Sequence, residues 1–199
     1  MAGPLVGCAV RMRAPAEDGR IYLSFDDGPH PEHTGPLLDV LAEHDAKATF
    51  FVIGAAVARW PHLVQRIVAE GHAVGGHSMT HRRLHAWHAA PMRADLQAVD
   101  ALLYPLSGRR NHLYRPPHGR VTPATLLACA QRRQPVMLWN VNSMDYRLDA
   151  ASVVERLQAR PPVPGDVVLM HDDQPCAGQA LRTLLPVWAG QGMRFAALT

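Results

Sequence analysis

The chain has 199 residues, 20 basic and 17 acidic side chains, a formal charge of +3 and a sequence pI near 9.0. That length fits one domain with a substantial core and little left for a second. Lys47 is the only lysine and the arginines form no dense run, so the mildly basic balance excludes a nucleic-acid footprint. No apolar stretch reaches the roughly 20 residues that span a bilayer. Cys8, Cys129 and Cys176 are too scattered for a zinc knuckle or a disulfide framework, which predicts reduced, mostly buried thiols.

In chain order, residues 1 to 16 read as a loose leader. Met1 to Val10 are apolar but short, with no basic start and no convincing cleavage site, so no secretion signal and a cytoplasmic location are expected. Residues 17 to 199 form the one domain. Short β-rich runs alternate there with longer helical patterns, as in parallel strands joined by helical crossovers. Strands are predicted near Ile21 to Phe25, Ala48 to Ile53, Ala73 to Gly76, His112 to Tyr114, Val136 to Val141, Val167 to Met170 and Arg194 to Leu198. Between them Leu37, Leu38 and Leu41 share one helical face, as do Val64, Ile67 and Val68, and later Leu181, Leu184 and Leu185. Seven strands and six helices suit a small α/β barrel better than an open sheet, although periodicity does not decide closure. The polar residues that need explaining follow the strands: Asp26 and Asp27, His77, Arg115, Asn142 and Asp145, and His171. In a parallel barrel such positions converge at one mouth.

Two segments carry candidate chemistry. Ser24-Phe25-Asp26-Asp27-Gly28-Pro29 ends a strand with adjacent carboxylates. Both can serve one site only if the backbone turns there; otherwise this is an ordinary Asp-Gly turn with solvated side chains. His77-Ser78-Met79-Thr80-His81 sets two imidazoles four residues apart, the spacing at which side chains meet on one helical face and can grip an ion. A carboxylate as third ligand completes the form of a catalytic zinc site. With 12 histidines in the chain, a chance pair at this spacing is the competing explanation.

With these segments in place, the sequence resembles the polysaccharide deacetylase family, the NodB-homology domains of carbohydrate esterase family four, over residues 20 to 199. The likeness continues through Lys47-Ala48-Thr49-Phe50-Phe51-Val52-Ile53-Gly54, Gly71-His72 with Gly76-His77-Ser78 to His81, Arg115-Pro116-Pro117-His118-Gly119, Asn142-Ser143-Met144-Asp145-Tyr146 and Leu169-Met170-His171. It implies a distorted (β/α)7-type barrel and a hydrolase that removes the acetyl group from an N-acetylated sugar. It implies Asp27, His77 and His81 as ligands of one divalent ion: zinc first, with cobalt, manganese and nickel as alternatives. Asp26 would be the base and Arg115 its ion-pair partner. His171 would be the acid, supported by Asp145, and the His118 N–H would meet the oxyanion.

Tyr146 stands where the family usually has Trp, and His118 where it often has another aromatic residue. Tyr146, Pro117 and Trp87 are assigned to the substrate side, with packing under a loop as the competing role for Trp87. Asn142 replaces an aspartate and is expected to cap a turn. His30, His33, His72, His85, His88 and His112 are expected to be packing or surface residues, and Asp172, Asp173 and Gln174 receive no role. An O-acetyl esterase, a nonsugar amide hydrolase and a catalytically silent carbohydrate-binding module are the alternatives. No nucleic-acid partner is expected, and the oligomeric state is left open.

Overall fold

The computed structural model describes residues 9–16, 18–82 and 89–199. In chain order the elements are β1 (Val10–Arg11), β2 (Arg20–Asp26), α1 (Thr34–Glu43), β3 (Ala48–Val52), α2 (Gly54–Arg59), α3 (Pro61–Ala69), β4 (Ala73–Gly76) and α4 (Ala89–Ser107). A 3-10 turn (Pro117–Gly119) precedes α5 (Pro123–Arg132), β5 (Val136–Met137), β6 (Val141–Asn142), α6 (Ala150–Ala159), β7 (Val167–His171), α7 (Cys176–Gly190) and β8 (Arg194–Phe195).

β2 and β3 form the middle of the sheet. Both are buried on either face, so both read as near-continuous apolar runs, as central parallel strands do. The ladder runs β4-β3-β2-β7-β6, all parallel, with β8 beside the start of β2. Single bridges from Gly76 to Tyr114 and from Tyr114 to Val136 carry it on to β5 and β1. Residues 136 to 142 therefore pair with one edge at their start and the other at their end, and the sheet curls into a distorted (β/α) barrel. The main core fills the space between the strands and the outer helices, with Phe25, Phe50, Leu38, Leu41, Ile67, Leu181 and Trp188 at its centre.

The outer helices have legible starts. Thr122 caps α5 by accepting the Thr125 N–H, with Pro123 at the first helical position, and Asp149 caps α6 by accepting the Ser152 N–H. The described chain has seven α-helices, because the crossover from β3 to β4 is split into α2 and α3 at Trp60 and Pro61. Among the described residues no helix is long and apolar enough to cross a membrane. Cys129 and Cys176 are buried and form no disulfide, and Cys8 lies outside the described residues.

The structure departs from sequence expectation at four places. Of His112 to Tyr114 only Tyr114 pairs, because His112 is committed to α4 through Asp100 and Ser107. The run Val136 to Val141 is broken into β5 and β6, since the Met137 and Leu138 carbonyls accept from the Arg115 guanidinium. The last strand stops at Phe195, and the Leu198 N–H donates to the Thr49 side chain instead of to a strand. The last part of the segment read as a loose leader is held by the barrel. Ala9 O and Arg11 O accept from Val136 and Leu138, the Ala14 N–H donates to Gly165 O, and Arg13 pairs with Asp166 at 2.9 Å.

Candidate active site at the barrel mouth

Sheet register explains why distant residues meet. Asp26 ends β2 directly opposite His171, the last residue of β7, and Gly76 ends β4 opposite Val52. His77 follows Gly76, and its N–H donates to Val52 O at 2.9 Å. Because these strands are parallel, their carboxyl ends share one rim.

The two adjacent aspartates diverge at a backbone turn. Asp26 is still in the strand and buried, while Asp27 has φ 76°, a left-handed conformation that swings its side chain toward the histidines. Asp27 Oδ1 lies 3.3 Å from His77 Nε2 and 3.2 Å from His81 Nε2. The spacing of the histidine pair is right, but the expected helical face is not there. His77 to His81 is a loop with left-handed Ser78 and His81, at φ 65° and 53°. Packing against α2 and α4 supplies the geometry. Gly54 and Ala55 donate to Ser78 O and Met79 O, and the Met79 N–H is shared by both carboxylate oxygens of Asp95, at 3.1 and 3.2 Å.

These three side chains fit a cation. His77 Nδ1 lies 2.8 Å from Arg115 O, and a carbonyl only accepts, so Nδ1 carries the proton and Nε2 presents a lone pair. That lone pair faces Asp27 Oδ1, a buried oxygen without a hydrogen-bond donor. Acceptor facing acceptor in a buried site is unfavourable until something positive lies between them. Asp27, His77 and His81 are the one group of three or more such side chains among the described residues whose ligand atoms all lie within 4.8 Å of one another.

On one side of this cluster, Arg115 Nη1 donates to Asp26 Oδ1 at 2.7 Å and to Ser24 Oγ at 2.9 Å. The guanidinium is wholly buried, and Phe51 lies 3.9 Å below its carbon. On the other side, His171 Nδ1 donates to Asp145 Oδ1 at 2.9 Å, and the His171 N–H donates to Asp145 Oδ2 at 2.7 Å. Ser143 Oγ donates to the same carboxylate. Burial disfavours the imidazolium, yet the Asp145 hydrogen bond and charge, with Asp26 and Asp27 further away, push His171 up to about 9.

A cavity of about 440 Å³ opens over these groups. His118 and Tyr146 line it, and so does Asn142. The His118 ring meets His81 edge-on at 4.7 Å, and Tyr146 stands edge-on to His171 at 5.4 Å. The Asn142 side chain accepts the Met144 N–H at 2.9 Å, the turn cap expected of it. Pro117 lies outside the lining and begins the turn that presents His118, whose φ is 57°. Trp87, His85 and His88 fall outside the described residues. Trp139, Leu169, Asp173 and Gln174 also line the cavity, and sequence reasoning gave none of them a role. Leu169, Asp173 and Gln174 had a signal, since all three lie close to His171 along the chain. A larger groove of about 930 Å³ beside α6, near Arg156 and Arg160, has no histidine in its lining, so its size outranks its chemistry.

Fold and site together define the class: a parallel α/β barrel whose strand ends gather a carboxylate–histidine cluster flanked by one buried Asp–Arg pair and one Asp–His pair. The chain belongs to the polysaccharide deacetylase family, whose model matches residues 13–134. It is 34% identical over 186 residues to a Bacillus cereus peptidoglycan-N-acetylglucosamine deacetylase, covering 88% of this chain and 68% of that one. It is 36% identical over 181 residues to a Rhizobium leguminosarum bv. phaseoli chitooligosaccharide deacetylase, covering 88% and 78%. The crystal structure of the Bc1960 peptidoglycan N-acetylglucosamine deacetylase, in complex with 4-naphthalen-1-yl-N-oxidanyl-benzamide, superposes with a TM-score of 0.89 at 28% identity, covering 96% and 91%.

Proposed function

We propose that this protein hydrolyses the acetamido group of an N-acetylglucosamine-type glycan, using one divalent cation held by Asp27, His77 and His81. The observation that carries this reading is the buried, donorless Asp27 oxygen facing two imidazole nitrogens, between an Asp26–Arg115 pair and an Asp145–His171 pair. Zinc suits mixed imidazole and carboxylate ligands, and a bound cation would acidify water and polarise the substrate carbonyl.

The protein's own groups do the rest. Arg115 fixes the orientation of Asp26 through its 2.7 Å hydrogen bond, so that Asp26 takes a proton from the attacking water. The His118 N–H, presented by the left-handed turn, faces the oxygen that becomes negative. His171 holds a second proton, on Nε2, because the Asp145 hydrogen bond and charge favour the imidazolium, and it gives that proton to the departing nitrogen. An amine leaves poorly without one. Tyr146 and Trp139 supply aromatic surface for a sugar ring along the groove. The reading is supported by relatives whose names specify peptidoglycan N-acetylglucosamine and chitooligosaccharide.

The test is a panel of N-acetylglucosamine oligomers, peptidoglycan fragments and O-acetylated xylan, scored for free acetate. Release from the N-acetylated substrates is expected. Release from the O-acetylated substrate alone would replace the amide reading with an esterase.

A further inference from the structure

Gly28 is a glycine because of a residue in another loop. A Cβ built on Gly28 would fall 2.1 Å from Asp172 Oδ2 and 2.2 Å from Asp172 Oδ1. The Asp172 carboxylate thus lies flat against the turn that presents Asp27, in space that a side chain on residue 28 would need. Asp172 itself is buried at the end of β7, and its N–H donates to Asp26 O at 3.2 Å.

The carboxylate reaches further along the same loop. Thr34 Oγ1, buried at the start of α1, donates to Asp172 Oδ2 at 2.5 Å and accepts the His30 N–H at 2.7 Å. Gly28 O in turn accepts the Ile53 N–H at 2.8 Å. Residues 26 to 34 are therefore tied down at both ends, and Asp172 makes a tie at each. The arrangement has a cost, because Asp172 Oδ1 is buried without a partner. Stability alone does not call for a carboxylate there. What the loop needs is rigidity, since Asp27 sits at φ 76°, a conformation that persists for a non-glycine residue only when its surroundings enforce it.

We propose that Asp172, with Thr34 as its relay, is a positioning residue that holds the Asp27 turn in its left-handed conformation and thereby sets the affinity and geometry of the cation site. This rests on the cation reading given above. Asp172 lies outside the cavity lining.

The experiment uses Co2+, whose visible absorption reports ligand geometry, titrated into the metal-stripped wild type and the Thr34→Val, Asp172→Ala and Asp172→Asn variants. Loss of a partner behind a ligand typically costs about 10- to 100-fold in metal affinity. Thr34→Val and Asp172→Ala should weaken Co2+ binding by that range and shift its absorption bands. Asp172→Asn keeps the shape and an acceptor for Thr34, so it should recover most of the loss. If Asp172→Ala does not fold, Thr34→Val decides by itself. A merely structural brace would lower the melting temperature and leave the Co2+ affinity and spectrum unchanged; that result overturns the proposal alone. A wild type that binds no Co2+ would instead remove the cation reading, and this inference with it.

Discussion

Two regions of the molecule hold the same kinds of side chain and do different work. At the barrel mouth, Arg115, Asp26, Asp27, His77 and His81 crowd together. Behind α4, Arg132, Asp100 and His112 do so. In the second cluster every group is answered: His112 Nδ1–H donates to Asp100 Oδ1 at 2.8 Å, His112 Nε2 is 2.8 Å from Ser107 Oγ, and Arg132 donates to Asp100 Oδ2 at 2.5 Å. At the mouth, Asp26 and Arg115 are answered but Asp27 Oδ1 is not. A closed network is an element of structure, whereas a buried acceptor facing another acceptor favours a positive group between them. Residue type does not separate the two; satisfaction does.

Substitutions should separate them as well. The largest effect is expected at His77→Ala or His81→Ala, which each remove one of the three proposed ligands and should abolish both metal binding and acetate release, as measured by elemental analysis beside the acetate assay. Asp26→Asn should keep the metal and lose about 10² to 10⁴ in rate, the usual cost of a missing general base. If that variant lost its metal, Asp26 and Asp27 would share or exchange roles.

His171→Ala should damage cleavage of an N-acetyl sugar far more than cleavage of an activated aryl acetate, whose leaving group needs no proton. Asp145→Asn should act in the same direction but less severely. The acid must be protonated, and His171 is held up to about 9. Activity should therefore persist through neutral pH and fall as pH rises through about 9, with Asp145→Asn moving that alkaline limb to lower pH. Equal losses on both substrate types would assign His171 to substrate binding.

The smallest effect on chemistry belongs to the closed cluster. His112→Ala should cost about 1–3 kcal/mol of stability by leaving Asp100 short of a donor, and leave kcat/KM unchanged. Chemical denaturation beside the acetate assay checks both halves. His72 offers a milder contrast. Burial, with Lys47 nearby, lowers it to about 4, and its Nδ1 accepts the Ala48 N–H, so the folded protein keeps this ring neutral. The unfolded chain takes up the proton at about 6.5. This histidine's contribution to stability is therefore present above about 6.5 and is lost as pH falls from there through about 4.

Much of this was legible in the sequence, for reasons that differ by element. β2, β3 and β7 are buried on both faces, so their runs of apolar residues marked them without ambiguity, and the polar residues just beyond them marked the mouth. The histidine pair was found for the wrong reason. Its spacing suits a helix, but the two left-handed residues and the props from Gly54, Ala55 and Asp95 that make the loop work leave no periodic trace. The broken strand at 136 to 142 was illegible because its carbonyls serve an arginine from another part of the chain. Asp172 carries no role in the sequence, since nothing local shows that its carboxylate is packed against Gly28.

The most direct test of the central claim is acetate release from N-acetylglucosamine oligomers by protein stripped with a chelator and then titrated with Zn2+. No turnover is expected in the stripped protein, with full recovery at one equivalent per chain. Undiminished acetate release by the metal-free protein would contradict it.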